Sequence, residues 1–114
     1  MSNAPLSGLR VVVHANGVAA AYAARLLGTL GAETILLESG SGSALRREPP
    51  FLPGTQVSAL FAYLAAGARS RVCDLASGEG RATLGAILSQ ADVFIDDTPV
   101  AERAALGLDE AGLA

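Results

Sequence analysis

Two largely apolar runs near the start of the chain, the first broken only by Arg10, flank a stretch dominated by alanine and leucine. The first, Leu9–Val13, is rich in β-branched residues and predicts a strand over 9–14 that is buried on both faces. Asn16 and Gly17 break it with turn residues. Alanines and leucines fill positions 19–30 as in a helix, and Gly31 stands where a helix closes on a left-handed residue. A second buried strand follows over 34–38, ending at Glu38. Strand, helix and strand within about 30 residues demand parallel pairing and a right-handed crossover.

Downstream the pattern weakens and then returns. Residues 39–55 are irregular, with Gly40 and Gly42 loosening the chain and Pro49-Pro50 and Pro53-Gly54 imposing extended and turn geometry. Val57–Ala66 is apolar on nearly every side and predicts a short buried helix ending at Gly67. Arg71–Leu75 reads as a third strand. Ser77 then caps a helix, with Glu79 in its first turn and a core stripe at Leu84, Ile87, Leu88 and Ala91. A fourth strand is expected over 93–96. Thr98 and Pro99 read as the cap and first residue of another helix, Ala101–Leu106, and Gly107–Glu110 turns into one more. The expected fold is α/β: a Rossmann-like, mostly parallel sheet of about four strands (9–14, 34–38, 71–75, 93–96) flanked by helices. Residues 5–114 form one domain in this reading, with 1–4 as a cloning remnant. Four strands without a closing element leave an open edge, and the final helix has barely begun, so the chain reads as a piece of a longer one.

Composition narrows the chemistry. Half of the 114 residues are apolar and 17% are charged, which argues against disorder. All eight basic residues are arginines, so neither Schiff-base chemistry nor a lysine-dependent phosphate loop is available. A net charge of −3 disfavours nucleic acid and anionic membranes as partners. Lone Cys73 precludes a disulfide framework and, with no signal-peptide pattern, points to the cytoplasm.

Candidate site residues gather at strand ends, where open parallel sheets bind ligands. His14, Asn16 and Gly17 follow the first strand. The plainer reading of His14 is an imidazole capping the strand, because no partner is identifiable. The turn lacks the full dinucleotide glycine motif, but a helix N-terminus presents free N–H groups and can receive an anion without one. Glu38 lies about 20 residues beyond Gly17, the separation of a ribose-binding acid, although a solvated strand-end carboxylate is the simpler reading. Arg46-Arg47 is the one adjacent basic pair, in a long loop on the ligand side, and reads equally as functional or solvated. Asp96-Asp97 ends the fourth strand. Adjacent carboxylates can share a proton or hold a metal, but no third ligand is near, so these read as turn-forming acids and no metal site is expected.

Several blocks in order resemble the N-terminal, Rossmann-like part of the family III CoA-transferases: PLSGLRVVV, AARLLGTLGAETILLE, LRREPP, ARSRVCDLASGEGRATL, QADVFIDD and ERAALGLDEAGL. The resemblance implies exchange of coenzyme A between an acyl-CoA thioester and a carboxylic acid, through attack by an aspartate. That aspartate belongs to a part of the family beyond this stretch, so no residue here inherits a catalytic role. It also implies an interlocked homodimer, or association with the remainder of a longer chain, and acyl-CoA as substrate with no covalent cofactor. The departures fall on the groups expected to meet CoA. The family's aspartate at the first strand end is Val13, its turn arginine is Asn16, and its A-G-P is Ala19-Ala20-Ala21. Its N-x-G-K-R-S is Ala65-Ala66-Gly67-Ala68-Arg69-Ser70, and its N-F-R-P-G is Asp97-Thr98-Pro99-Val100-Ala101. Asn16, Gly17, Arg46, Arg47, Arg69 and Arg71 remain as candidates for holding the CoA phosphates. With charge-assisted phosphate contacts worth about 1.5–3 kcal/mol each, losing several favours a degenerate copy. Three readings stay open: a CoA-transferase segment with its acyl-transfer apparatus elsewhere, a non-catalytic scaffold or dimerising half, and a small nucleotide-binding module using Gly17 and Glu38.

Overall fold

A computed structural model describes residues 4–113; most of the stretch read as a cloning remnant, residues 1–3, lies outside them. In chain order the elements are β1 (Arg10–His14), α1 (Val18–Thr29), β2 (Glu33–Glu38), a 3-10 turn (Ala44–Arg47), α2 (Ala59–Leu64), β3 (Arg69–Val72), α3 (Gly78–Leu88), β4 (Val93–Asp96), α4 (Val100–Leu106) and α5 (Glu110–Leu113). The four strands form one sheet in the order β3-β2-β1-β4, and every pairing is parallel. The α/β class and strand number expected from the apolar runs therefore hold.

Strand periodicity divides the core between the two faces of the sheet. Val12 and Leu37 pack with Leu75, Leu84, Ile87 and Leu108 under α3. Their neighbours Val13 and Leu36 pack on the opposite face with Ala21 and Ala24 of α1, Leu45 and Leu64. The small α1 residues let that helix lie close to the sheet. Gly80 does the same for α3, because a β-carbon there would overlap the main-chain carbonyl of Asp74. Ser77 caps α3 as expected, accepting from the Gly80 amide at 2.9 Å.

Three expected elements shift. β3 starts at Arg69 and stops at Val72, not 71–75, because its register is set by β2, from Ile35↔Arg69 to Glu38↔Val72. The Cys73 amide closes that ladder on the Glu38 carbonyl at 2.7 Å, and the chain then turns towards α3. Cys73 and Leu75 are buried there without being in a strand, so their apolar character imitated one. α2 is shorter than 57–66, starting behind the Ser58 cap, whose hydroxyl accepts from the Phe61 amide at 3.0 Å. It is also only half-buried: Tyr63 is 51% exposed, Leu64 is the one residue of the helix that is fully buried, and Leu60 and Phe61 are partly covered against the same core. α4 begins at Val100 with Pro99 as its cap residue, because the Thr98 hydroxyl is engaged by Asp96 instead.

Candidate functional site

The chain steps from β1 outward to β2 and β3, then returns across α3 to place β4 on the other side of β1. The reversal makes the gap beyond β1 and β4 the topological switch point, where such sheets bind ligands. An open cleft of about 530 Å³ lies there, lined by His14, Asn16, Gly17, Asp97, Thr98 and Glu102, with Cys73, Asp74 and Leu75 on its far wall.

β1 and β4 end together, His14 opposite Asp96. The register brings His14 Nδ1 to 2.8 Å from Asp96 Oδ1, with side-chain exposures of only 13% and 10%. The Thr98 hydroxyl donates to the same oxygen at 2.7 Å. Arg103 of α4 donates through Nε to the Thr98 carbonyl at 2.8 Å and stands 3.8 Å from Asp96 Oδ2. His14 is thus a capping imidazole in the expected place, with the partner that its own neighbourhood in sequence did not reveal.

Asp97 turns the other way, to the start of α1. Its carboxylate accepts from the Asn16 amide at 3.0 Å and the Gly17 amide at 2.8 Å. Two donors that sequence reasoning left free for an external anion therefore hold an internal one. Gly17 permits the approach, since a β-carbon there would sit 3.1 Å from Asp97 Oδ2. Asn16 also ties the turn to the 3-10 segment, its side-chain oxygen accepting from the Ala44 amide at 3.0 Å.

Glu38 is no solvated acid. It is 4% exposed, and Arg46 grips both its oxygens, Nε at 2.6 Å and Nη2 at 2.7 Å. The Ser43 amide and the Ser70 hydroxyl add two more donors. Arg46 foremost, opposed by burial and aided by these donors, holds the Glu38 carboxyl down at about 2. With both oxygens engaged, Glu38 has little left to offer a ribose. The Arg46 guanidinium also lies over the Phe61 ring, 4.3 Å from its centre.

The six candidate phosphate-holding residues separate into two groups. Asn16, Gly17, Arg46 and Arg47 share one loop cluster beyond β1 and β2, with Arg47 donating to the Ser41 carbonyl at 3.1 Å. Arg69 and Arg71 lie on the edge strand. Arg69 is 81% exposed and 3.8 Å from Glu33, and Arg71 lines a shallow groove under α3 with Arg10, Glu33 and Gln90. None of the arginines lines the switch-point cleft, whose carboxylates are Asp74, Asp97 and Glu102. No group of three or more His, Cys, Asp or Glu side chains among the described residues is arranged to hold a metal ion. No helix among them is long and apolar enough to cross a membrane.

Comparison with known proteins gives a consistent result. A family model described as CoA-transferase family III matches residues 6–114. The chain is 35% identical over 111 residues to a succinate–glutarate CoA-transferase of Agrobacterium fabrum, covering 92% of this chain and 28% of that protein. It is 34% identical over 100 residues to the BbsE subunit of a succinyl-CoA:(R)-benzylsuccinate CoA-transferase of Thauera aromatica, covering 85% and 24% respectively. Among solved structures, a CAIB/BAIF family protein from Brucella suis superposes with a TM-score of 0.87 at 32% identity, over 98% of this chain and 30% of that one. The chain thus spans about a quarter of the length of the curated relatives it matches.

Proposed function

The chain belongs to CoA-transferase family III, and from that premise we propose that it forms the α/β layer of a protein that exchanges coenzyme A between an acyl-CoA thioester and a carboxylic acid. In this reading the attacking carboxylate comes from residues other than these 114. The observation that carries it is the state of the carboxylates at the ends of β2 and β4. Glu38 is bound by Arg46, Asp96 by His14 and Thr98, and Asp97 by two main-chain amides. A carboxylate already saturated with donors is a poor nucleophile, so these acids build the fold and leave acyl transfer to another group. Succinate, glutarate and succinyl-CoA, which appear in the relatives' names, are the first substrates to test in this reading. A second copy of the chain, or the remainder of a longer one, is the partner this reading implies, with the cytoplasm as its compartment.

A second reading, a scaffold that no longer grips CoA, has its own support. The cleft carries carboxylates without arginine, Asp97 fills two amides at the head of α1, and Arg46 is committed to Glu38. Isothermal titration of CoA and acetyl-CoA at low and moderate salt separates the two. Micromolar binding that weakens with salt means that Arg47, Arg69 and Arg71 suffice for the phosphates. No heat at millimolar ligand means a scaffold. Under either reading the isolated chain is silent in a CoA-transfer assay, and robust transfer by it would overturn both.

A further inference from the structure

The His14–Asp96–Thr98 cluster is more than CoA exchange requires. Transfer of CoA between a thioester and a carboxylate begins and ends with the same kinds of group and moves no net proton. Yet the one histidine of the chain is held as a proton acceptor is held in acid–base enzymes. Asp96 Oδ1 accepts from the Thr98 hydroxyl at 2.7 Å and faces Nδ1 at 2.8 Å, so Nδ1 carries the imidazole hydrogen. In the neutral ring the lone pair is then on Nε2. Asp96 is fixed in turn by its place in the β1–β4 register and by Arg103, so the ring is held at Nδ1 by a carboxylate that is itself anchored. His14 lines the cleft, so the assembly borders a space that small molecules can enter.

We propose that His14 is a general base in this cleft and that the chain hydrolyses small uncharged acyl esters or thioesters there. Nε2 takes one proton of a water molecule as the water oxygen bonds to the acyl carbon. The bond from that carbon to the alcohol oxygen or thiol sulphur then breaks, and the leaving group recovers the proton from Nε2. One water is consumed, an acid and an alcohol or thiol are released, and nothing is oxidised or reduced. Asp96 and Thr98 are positioning residues: they set the tautomer, and Asp96 offsets the transient imidazolium charge. The substrate is uncharged because Asp74, Asp97 and Glu102 line the cleft without a facing arginine and repel phosphates and carboxylates. Leu75 and Leu106 offer its acyl portion an apolar wall.

The test uses p-nitrophenyl acetate, which carries no phosphate, so its result is independent of CoA binding. The chain is expected to release p-nitrophenolate at least tenfold faster than His14→Gln, at the low end of what general-base catalysis supplies. The rate is expected to fall in D₂O, and Asp96→Asn to lower kcat more than it raises KM. Nitrogen-15 shifts of the single imidazole in the unaltered chain give a readout that needs no variant to fold, and are expected to show hydrogen on Nδ1. A His14→Gln rate equal to the parent's, a rate unchanged in D₂O, or hydrogen on Nε2 would each overturn the proposal.

Discussion

At the scale of single residues, Glu38 shows how a buried charge is tolerated. Its carboxylate is taken out of water and receives in exchange a two-pronged guanidinium, a main-chain amide and a hydroxyl. Because its folded pKa, about 2, lies below the ordinary value of 4.5, the native state holds this proton less tightly than the unfolded chain does. The stabilisation is therefore complete above about pH 4.5 and is lost as the pH falls towards 2. Arg46→Ala leaves the buried acid with only Ser43 and Ser70 and is expected to cost about 2 kcal/mol at neutral pH, less than a fully buried pair because Arg46 is half-exposed. Urea unfolding at a series of pH values checks both points, since the gap between parent and variant should narrow below about pH 4.5. A gap constant down to pH 2 would place the stabilisation elsewhere. Gly80 carries a steric constraint of a different kind. Gly80→Ala pushes a methyl group into the Asp74 carbonyl and disturbs the Ser77 cap and the Cys73 thiol bonded to the Gly80 oxygen. A loss of about 2–4 kcal/mol is expected by the same measurement, against the gain that alanine brings to an unconstrained helix position.

At the scale of elements, what could be read in advance depended on how much of each element's environment was local. β1, α1 and β2 follow from runs whose burial on both faces leaves one period to fit. The Ser77 cap and the Leu84–Ile87 stripe were legible for the same reason: cap and stripe are patterns within one helix. β3 was misplaced because an edge strand takes its bounds from its neighbour, and Arg69 and Ser70 carry no strand pattern of their own. α2 was judged buried because apolar character marks a wish for cover, not its presence. Exposed Tyr63 of α2 meets Arg25 of α1, and along that helix and its cap residue Val18, Tyr22, Leu26 and Leu30, each four residues apart, are all between 43% and 48% exposed. Arg25 shelters part of this surface, donating to the Tyr63 carbonyl at 2.8 Å with its guanidinium 4.0 Å from the ring centre.

At the scale of the whole molecule, the site was legible as a list of residues but not as a set of partners. His14 and Asp96 each stood out at a strand end, and so did Asp97 and Gly17, but pairing them needs the strand order. Only an order that puts β4 beside β1 makes His14 and Asp96 neighbours and aims Asp97 at α1. The family resemblance supplied the fold and left these contacts unseen: those of Asp97 with Asn16 and Gly17 fall where the chain departs from the family pattern, and the His14–Asp96 pair joins residues 82 positions apart. Shortening the chain to end before Val93 should therefore do more than remove an edge strand. It strips β1 of one of its two neighbours, His14 of Asp96 and Gly17 of Asp97. Such a chain is expected to lose cooperative thermal unfolding by circular dichroism, and a sharp transition near the parent's would show that β4 is dispensable.

That same pairing has a consequence in time. His14 and Asp96 are 82 positions apart, and Gly17 and Asp97 are 80. At a ribosomal pace of about 5–20 residues per second, β1 waits roughly 4–16 s for the strand that completes it. Helices and local turns form in microseconds or less. During synthesis, then, β1, α1 and β2 have ample time to assemble with one flank of β1 unpaired, and the cleft with its imidazole is the last part of the sheet to come into being.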